Sequence, residues 1–139
     1  MGGERPVTLV DTNVLLDVAT DDPDWGRWSS DALARALDRG EACINPIVYA
    51  EVSTRFDRIE DLDAFLPETA FRREQLPYSA GFVAAKAFLR YRRRGGQRHT
   101  PLPDFYIGAH AAVNGYQLLT RDAKRYRSYF PGLVLDAPT

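Results

Sequence analysis

The sequence has one cysteine, Cys43, two histidines, and only two lysines among its 18 basic residues. A single cysteine excludes an internal disulfide and is typical of a protein in a reducing compartment. No apolar run approaches the roughly 18 residues that a membrane-spanning helix needs. The first ten residues contain no basic segment followed by an apolar one, so we expect no signal peptide. These absences favour a cytoplasmic protein that does not associate with membranes.

The chain of 139 residues is long enough to bury a substantial core, and we expect a single domain over residues 1–139. It is 45% hydrophobic and 27% charged, which is ordinary for a globular protein. We find no internal repeat, low-complexity segment or linker.

The net charge of −1 conceals a division along the chain. Residues 1–70 contain 15 acids and 6 arginines, whereas residues 71–139 contain 4 acids and 12 basic residues. Sixteen of the 18 basic residues are arginines. The guanidinium group of arginine binds phosphate better than the ammonium group of lysine does. The second half therefore favours nucleic acid or an acidic partner, although solvated helix faces would explain the same charges.

Short apolar segments alternate with stretches of helical spacing, which predicts an α/β fold with a small central parallel sheet flanked by helices. The expected strands are Val7–Asp11, Ala42–Ile44, "YQLLT" and "LVLD". Six helices are expected. The first runs from a cap at Asp24 to Arg39, the second starts at Asn45, and the third lies near Asp61–Leu66. The fourth spans Tyr78–Arg94, the fifth starts at Asp104, and the sixth covers "AKRYRSYF". In the helix over Tyr78–Arg94 we expect a buried stripe of Tyr78, Phe82, Ala85, Phe88 and Leu89, and the stretch "TAFRREQLP" has no firm assignment.

Four acids occupy positions that the predicted sheet would bring together. Asp11 ends the first strand, Glu51 lies in the helix after the second, Asp104 lies at a helix start, and Asp122 follows "LLT". Ligands of parallel α/β sheets bind beyond the carboxyl ends of the strands, so all four side chains can converge at that edge. We therefore expect an acidic site there.

Such a group of carboxylates would repel unless a cation neutralised it. Mg²⁺ and Mn²⁺ prefer oxygen ligands, and they catalyse phosphodiester cleavage by activating water. The sequence contains no credible nucleophilic triad, because Cys43 falls in a strand and neither histidine has an evident partner. Taken singly, Asp104 reads as a helix cap, Asp122 as a turn residue and Glu51 as a solvated helix residue; the joint placement favours a metal site.

Four segments resemble the PIN-domain family and, within it, the VapC-type toxins of bacterial toxin–antitoxin pairs. They are "VDTNVLLD", "NPIVYAEVS", "TPLPDFYIGAHA" and "LLTRDAKRYRSYFPGLVLDAP". The resemblance covers most of the chain in the expected order. It implies a metal-dependent ribonuclease that cuts structured RNA, with tRNA or rRNA as target, Mg²⁺ or Mn²⁺ as cofactor, a VapB-type antitoxin as partner, and homodimerisation.

The resemblance also implies residue roles. Asp11, Glu51, Asp104 and Asp122 match the family's catalytic acids, of which Asp11, Asp104 and Asp122 would ligate the metal. Asn13 and Thr120 match supporting polar positions, and the candidate RNA-binding residues are Arg92, Arg93, Arg94, Arg98, Arg121 and Arg125.

Other functions stay open at this point. A haloacid-dehalogenase-type phosphatase would need a second aspartate where Asn13 stands, and a response-regulator receiver would need an acidic pair directly after its first strand. A PIN-like module that binds RNA or a protein partner without cutting is the remaining alternative, and the complete acidic quartet argues against it.

Overall fold

The computed structural model describes residues 5–95 and 102–139, and it contains a five-stranded sheet in which every strand pair is parallel. The strands are β1 (Val7–Val10), β2 (Glu41–Ile44), β3 (Phe71–Arg73), β4 (Gln117–Leu119) and β5 (Leu135–Asp136), in the order β3-β2-β1-β4-β5. The helices are α1 (Thr12–Ala19), α2 (Gly26–Arg39), α3 (Pro46–Ser53), α4 (Ile59–Phe65), α5 (Tyr78–Arg93), α6 (Leu102–Asn114) and α7 (Ala123–Tyr129). The predicted α/β class and the parallel sheet are confirmed.

The central strands are buried because their side chains are almost entirely apolar. Leu9 and Val10 of β1 and Leu118 and Leu119 of β4 have no exposed surface. Strands that are covered on both faces read as continuous apolar runs, as these do. Their carboxyl ends lie at one edge of the sheet, which puts Asp11 beside Thr120.

The beginning of α3 follows the expected local signals. The Asn45 side chain accepts a hydrogen bond from Val48 N at 3.0 Å, and Pro46 occupies the first turn. An N-cap asparagine followed by proline satisfies a free backbone N–H and presets the helical φ angle.

The expected cap of α2 is wrong. The helix begins at Gly26, and Asp22 rather than Asp24 accepts hydrogen bonds, from the backbone N–H groups of Asp24 and Trp25. Asp22, two residues before the expected cap, therefore closes the turn between α1 and α2.

Two elements were not predicted. Helix α1 begins directly after β1, where the Asp11 side chain caps it, and β3 lies within the unassigned "TAFRREQLP" stretch. Strand β3 pairs with β2 at the sheet edge, so its conformation depends on a distant partner more than on local sequence.

The expected buried stripe of α5 is also wrong. Tyr78, Phe82 and Leu89 are exposed, at 98%, 67% and 46% respectively, whereas Ala80, Ala84 and Ala87 are fully buried. Helix α5 packs against α6 through these small residues, and large side chains would hold the two axes apart. Of the remaining two members, Ala85 and Phe88 are partly buried, and the ring of Phe88 packs against Phe105.

Within residues 5–95 and 102–139, no helix has both the length and the apolar character that crossing a membrane requires.

Candidate active site

Asp11 is a buried carboxylate at the carboxyl end of β1. Its Oδ2 atom accepts hydrogen bonds from the hydroxyls of Thr120, at 2.8 Å, and Tyr126, at 3.0 Å, and from Asn13 Nδ2 at 3.3 Å. Its Oδ1 atom accepts a bond from Thr12 N at 2.8 Å, which caps α1. Four donors, which lie on α1, on α7 and directly after β4, therefore hold the carboxylate in one orientation.

Burial raises the pKa of Asp11 from 3.8 to about 6, and the negative charge of Asp104 adds to the rise. The hydrogen bonds from Thr120, Tyr126 and Thr12 oppose the rise without cancelling it. Desolvation of this carboxyl group therefore outweighs the hydrogen bonds that it accepts.

Glu51 lies on α3 and faces α1. Its Oε1 atom accepts a hydrogen bond from the Thr12 hydroxyl at 2.6 Å. Because Thr12 also donates its backbone N–H to Asp11, one residue links the two acids. Helix α3 thus delivers Glu51 to the edge at which β1 ends.

Asp104 lies in the first turn of α6 and Asp122 is the residue before α7. One guanidinium joins them: Arg125 Nη1 lies 3.2 Å from Asp104 Oδ2, and Arg125 Nη2 lies 3.2 Å from Asp122 Oδ2. Burial raises the pKa of Asp104, Arg125 opposes this, and the charges of Glu51 and Asp122 raise it further. The four predicted acids therefore belong to one electrostatic group.

A cavity of about 370 Å³ lies between these elements, and its walls include Asp11, Glu51, Asp104, Asn13 and Arg125. Asp122 is not part of the wall, but it forms an ion pair with Arg125, which is. Over the described ranges, no three Asp, Glu, His or Cys side chains lie close enough to enclose a metal ion as they stand.

The donors nevertheless fit a hard divalent cation. They are all oxygen atoms, three of the four acids line one cavity, and burial raises the pKa values of two of them, Asp11 and Asp104. Mg²⁺ typically uses one or two protein carboxylates and keeps several waters, so a loose set of acids suits it better than a tight cage would.

Thr120 and Asn13, the two candidate supporting residues, both donate hydrogen bonds to Asp11. Thr120 is fully buried, donates to Asp11 and accepts a bond from Asp122 N at 3.0 Å. The Asn13 amide lies between Asp11 and Arg121 N. Both residues therefore orient the acids at the ends of β1 and β4.

Among the described residues, the candidate RNA-binding arginines lie in three places: at the end of α5, at Arg121 after β4, and at Arg125 between Asp104 and Asp122. Arg92, Arg93 and Arg94 are exposed at the end of α5, and Arg94 lies over the Tyr129 ring with 5.6 Å between guanidinium carbon and ring centroid. Arg98 lies outside the described residues. Arg121 forms a two-pronged ion pair with buried Asp17, at 2.7 and 3.0 Å, so its guanidinium is engaged within the protein.

Sequence reasoning missed several residues of the site. Thr12 and Tyr126 are not among the candidate site residues of the sequence, yet Thr12 links Asp11 to Glu51, and Tyr126 is fully buried with its hydroxyl bonded to Asp11. His110 is fully buried and contacts the Asn45 side chain at 3.1 Å, which joins α6, the helix of Asp104, to the start of α3. The apolar spacing around Tyr126 could have indicated that its ring is buried. No local pattern indicates the contact of Tyr126 with Asp11 or that of His110 with Asn45.

Cys43 is buried in β2, as expected, and burial raises the pKa of its thiol to about 12. A thiol with this pKa stays protonated and unreactive at neutral pH.

The chain matches the family pattern described as PIN domain over residues 8–130. Among solved structures, it is similar to VapBC2 from Rickettsia felis bound to a promoter DNA fragment, with 17% identity, a TM-score of 0.72, and coverage of 96% of this chain and 99% of that one. It is also similar to VapBC-1 from nontypeable Haemophilus influenzae, with 16% identity, a TM-score of 0.70, and coverage of 94% and 97%. A toxin–antitoxin complex from Klebsiella pneumoniae shares 22% identity at a TM-score of 0.68, with coverage of 91% and 95%.

At these identities, the likeness to solved structures establishes the fold. A comparison with curated proteins gave no match.

Proposed function

This chain belongs to the PIN-domain family, and from that premise we propose that it is a metal-dependent endoribonuclease that acts as the toxin of a VapBC-type toxin–antitoxin pair. The observation that carries the proposal is the cavity onto which Asp11, Glu51 and Asp104 open, with Asp122 attached through Arg125. PIN domains are generally nucleases, and an acid-lined cavity without a nucleophilic side chain suits hydrolysis by water.

The cofactor in this proposal is Mg²⁺ or Mn²⁺. Such an ion, when bound, lowers the pKa of water and neutralises charge on a phosphate. Asp11, Asp104 and Asp122 would hold it, and the residues that already fix Asp11, namely Thr120, Tyr126 and Thr12, would keep one carboxylate in place for it.

Glu51 has a different environment from the other acids. Its Oε1 atom is held by the Thr12 hydroxyl, and its side chain is partly exposed to the cavity. A carboxylate placed in this way can orient a water molecule and accept its proton, or complete the ligand set. Asn13 forms part of the same wall and can donate to a phosphate oxygen.

The proposed substrate is structured RNA, with tRNA or rRNA as the target class. Arg92, Arg93 and Arg94 form an exposed basic group at the end of α5, and basic groups of this kind bind the RNA backbone through its phosphates. This placement supports an approach of RNA along the helix pair α5 and α6.

The proposed partners are a VapB-type antitoxin and a second copy of the chain, in the cytoplasm. The similar structures from Rickettsia and Haemophilus are VapBC proteins, as their names state. The exposed Tyr78, Phe82 and Leu89 on α5 form an apolar surface of the kind that protein partners cover.

Cleavage of purified tRNA and rRNA by the purified protein tests this proposal. We expect cleavage with Mg²⁺ or Mn²⁺, no cleavage with EDTA, and loss of activity in Asp104→Asn. The matched control is Asp31→Asn, which removes an exposed acid of α2 and should cleave like the parent protein. Unchanged cleavage in EDTA or in Asp104→Asn would contradict the proposal, and RNA binding without cleavage would favour the non-cutting module.

A further inference from the structure

Arg125 occupies an unusual place for an RNA-binding residue, because its guanidinium lies inside the acidic group. Its two terminal nitrogens contact Asp104 and Asp122 at 3.2 Å each, and its side chain is 31% exposed. The residue also forms part of the cavity wall together with Asp11 and Glu51. The protein thus places one of its own cations among the carboxylates that would hold a metal ion.

We propose that Arg125 is an internal counter-ion that competes with the divalent cation for Asp104 and Asp122. The inference rests on the proposed function, because it assumes that this cavity takes such a cation.

Two physical arguments support this competition. Arg125 engages the Oδ2 atoms of two of the three proposed metal ligands, so a bound ion would share both carboxylates with the guanidinium. A guanidinium and a divalent ion in one partly buried cavity also repel each other, and this repulsion is stronger than in water because the surroundings are less polarisable.

The spacing of the acids is consistent with the same interpretation. Arg125 spans Asp104 and Asp122 with a separate nitrogen for each, and no three metal-binding side chains in the described part of the chain converge closely enough to enclose an ion. A divalent cation held by Asp104 and Asp122 would therefore draw on carboxylates that Arg125 already neutralises in part.

The role differs from that of the other arginines near the site. Arg121 is paired with Asp17, outside the cavity wall, and the arginines of α5 project from the end of a helix. Arg125 is the residue whose removal should change the affinity for the ion itself.

Titration of Mn²⁺ into the purified, RNA-free protein tests the proposal by calorimetry, together with the Tm measured in EDTA and in Mn²⁺. In Arg125→Gln we expect Mn²⁺ binding to tighten by about tenfold or more, because a competing charge is removed. The same variant should have a lower Tm than the parent in EDTA, since two carboxylates lose their partner, and a larger gain in Tm when Mn²⁺ is added.

Two further variants separate charge from structure. Arg125→Lys keeps the positive charge and should bind Mn²⁺ nearly as the parent does. Arg127→Gln removes a charge from the exposed face of the same helix, and its Mn²⁺ affinity should be unchanged. A purely structural role for Arg125 would lower the Tm equally with and without Mn²⁺, and that result would overturn the proposal.

The outcomes also distinguish this inference from the proposed function. Equal Mn²⁺ affinity in the parent and in Arg125→Gln, or weaker binding in the variant, would overturn the competition while leaving ribonuclease activity to the cleavage assay. Failure of every variant and of the parent to bind Mn²⁺ or Mg²⁺ would remove the metal premise of the function, and the inference with it.

Discussion

The buried carboxylate of Asp11 should destabilise the metal-free protein at neutral pH. Replacing it in Asp11→Asn removes the charge and keeps the shape, and the amide oxygen can still accept the bond from Thr12 N. The amide nitrogen can donate to the Tyr126 hydroxyl, which can turn to accept, whereas the Thr120 hydroxyl already accepts bonds from Asp122 N and Asn13 Nδ2 and would lose its own acceptor.

The magnitude follows from the raised pKa. The pKa of Asp11 is about 6 in the folded protein against 3.8 for the ordinary group. Each pKa unit corresponds to about 1.4 kcal/mol, so keeping Asp11 charged costs about 3 kcal/mol of folding free energy above pH 6.

The sign of the pH dependence is set by the direction of that shift. Because the folded pKa is raised, the folded state holds a proton between about pH 4 and 6 that the unfolded state has already released. The free energy of unfolding contributed by this group therefore falls as the pH rises through this window and is level above it. In EDTA, Asp11→Asn should exceed the parent in stability by up to about 3 kcal/mol at pH 7.5, and the difference should vanish near pH 4.

Urea unfolding in EDTA at several pH values between 4 and 7.5 measures this difference. Asp31→Asn is the matched control, because it replaces an exposed carboxylate of α2. Addition of Mn²⁺ should stabilise the parent and leave Asp11→Asn little changed. A stability difference that does not vary with pH would refute the argument that desolvation of this carboxylate is uncompensated.

Three further changes test the supporting structure. Gly108→Ala would place a Cβ 2.7 Å from the Phe130 ring, so the free energy of unfolding should fall by about 1–3 kcal/mol. Urea unfolding measures this change, and unchanged stability would contradict the close packing of Gly108 against Phe130. Asn45→Ala removes the cap of α3 and takes away the side chain that contacts Nδ1 of buried His110, so urea unfolding should show a loss of about 1–3 kcal/mol. A loss within error would mean that the Asn45 side chain does not stabilise the fold. Changing Arg92–Arg94 to alanine should reduce the slope of log RNA affinity against log salt concentration by about 0.7 for each phosphate that these arginines neutralise. Filter binding measures this slope, and an unchanged slope would mean that RNA binds elsewhere.

The parts of the fold that could be predicted are those with strong local signals. Asn45 followed by Pro46 predicts the start of α3, and the apolar run into Asp11 predicts β1. The position of acids after parallel strands was enough to expect Asp11 and Asp122 at one edge, because strand direction alone determines where the carboxyl ends lie.

Several features that the sequence does not indicate depend on partners that are distant in sequence. In α5, both the aromatic residues and the alanines follow helical spacing, and the close approach of α6 decides that Ala80, Ala84 and Ala87 face inward. The ion pair of Arg125 with Asp104 spans 21 residues, so sequence spacing could not separate an internal ion pair from an exposed phosphate-binding arginine.

The central claim, that the acidic cavity hydrolyses RNA, is tested most directly by mapping RNA ends after brief expression in bacteria. The parent protein should create new 5′-phosphate ends at one or a few sites, and Asp104→Asn should create none. New 5′-hydroxyl ends would instead indicate attack by the RNA's own 2′-hydroxyl and would contradict hydrolysis by water, and equal ends in both samples would contradict the role of the acidic site.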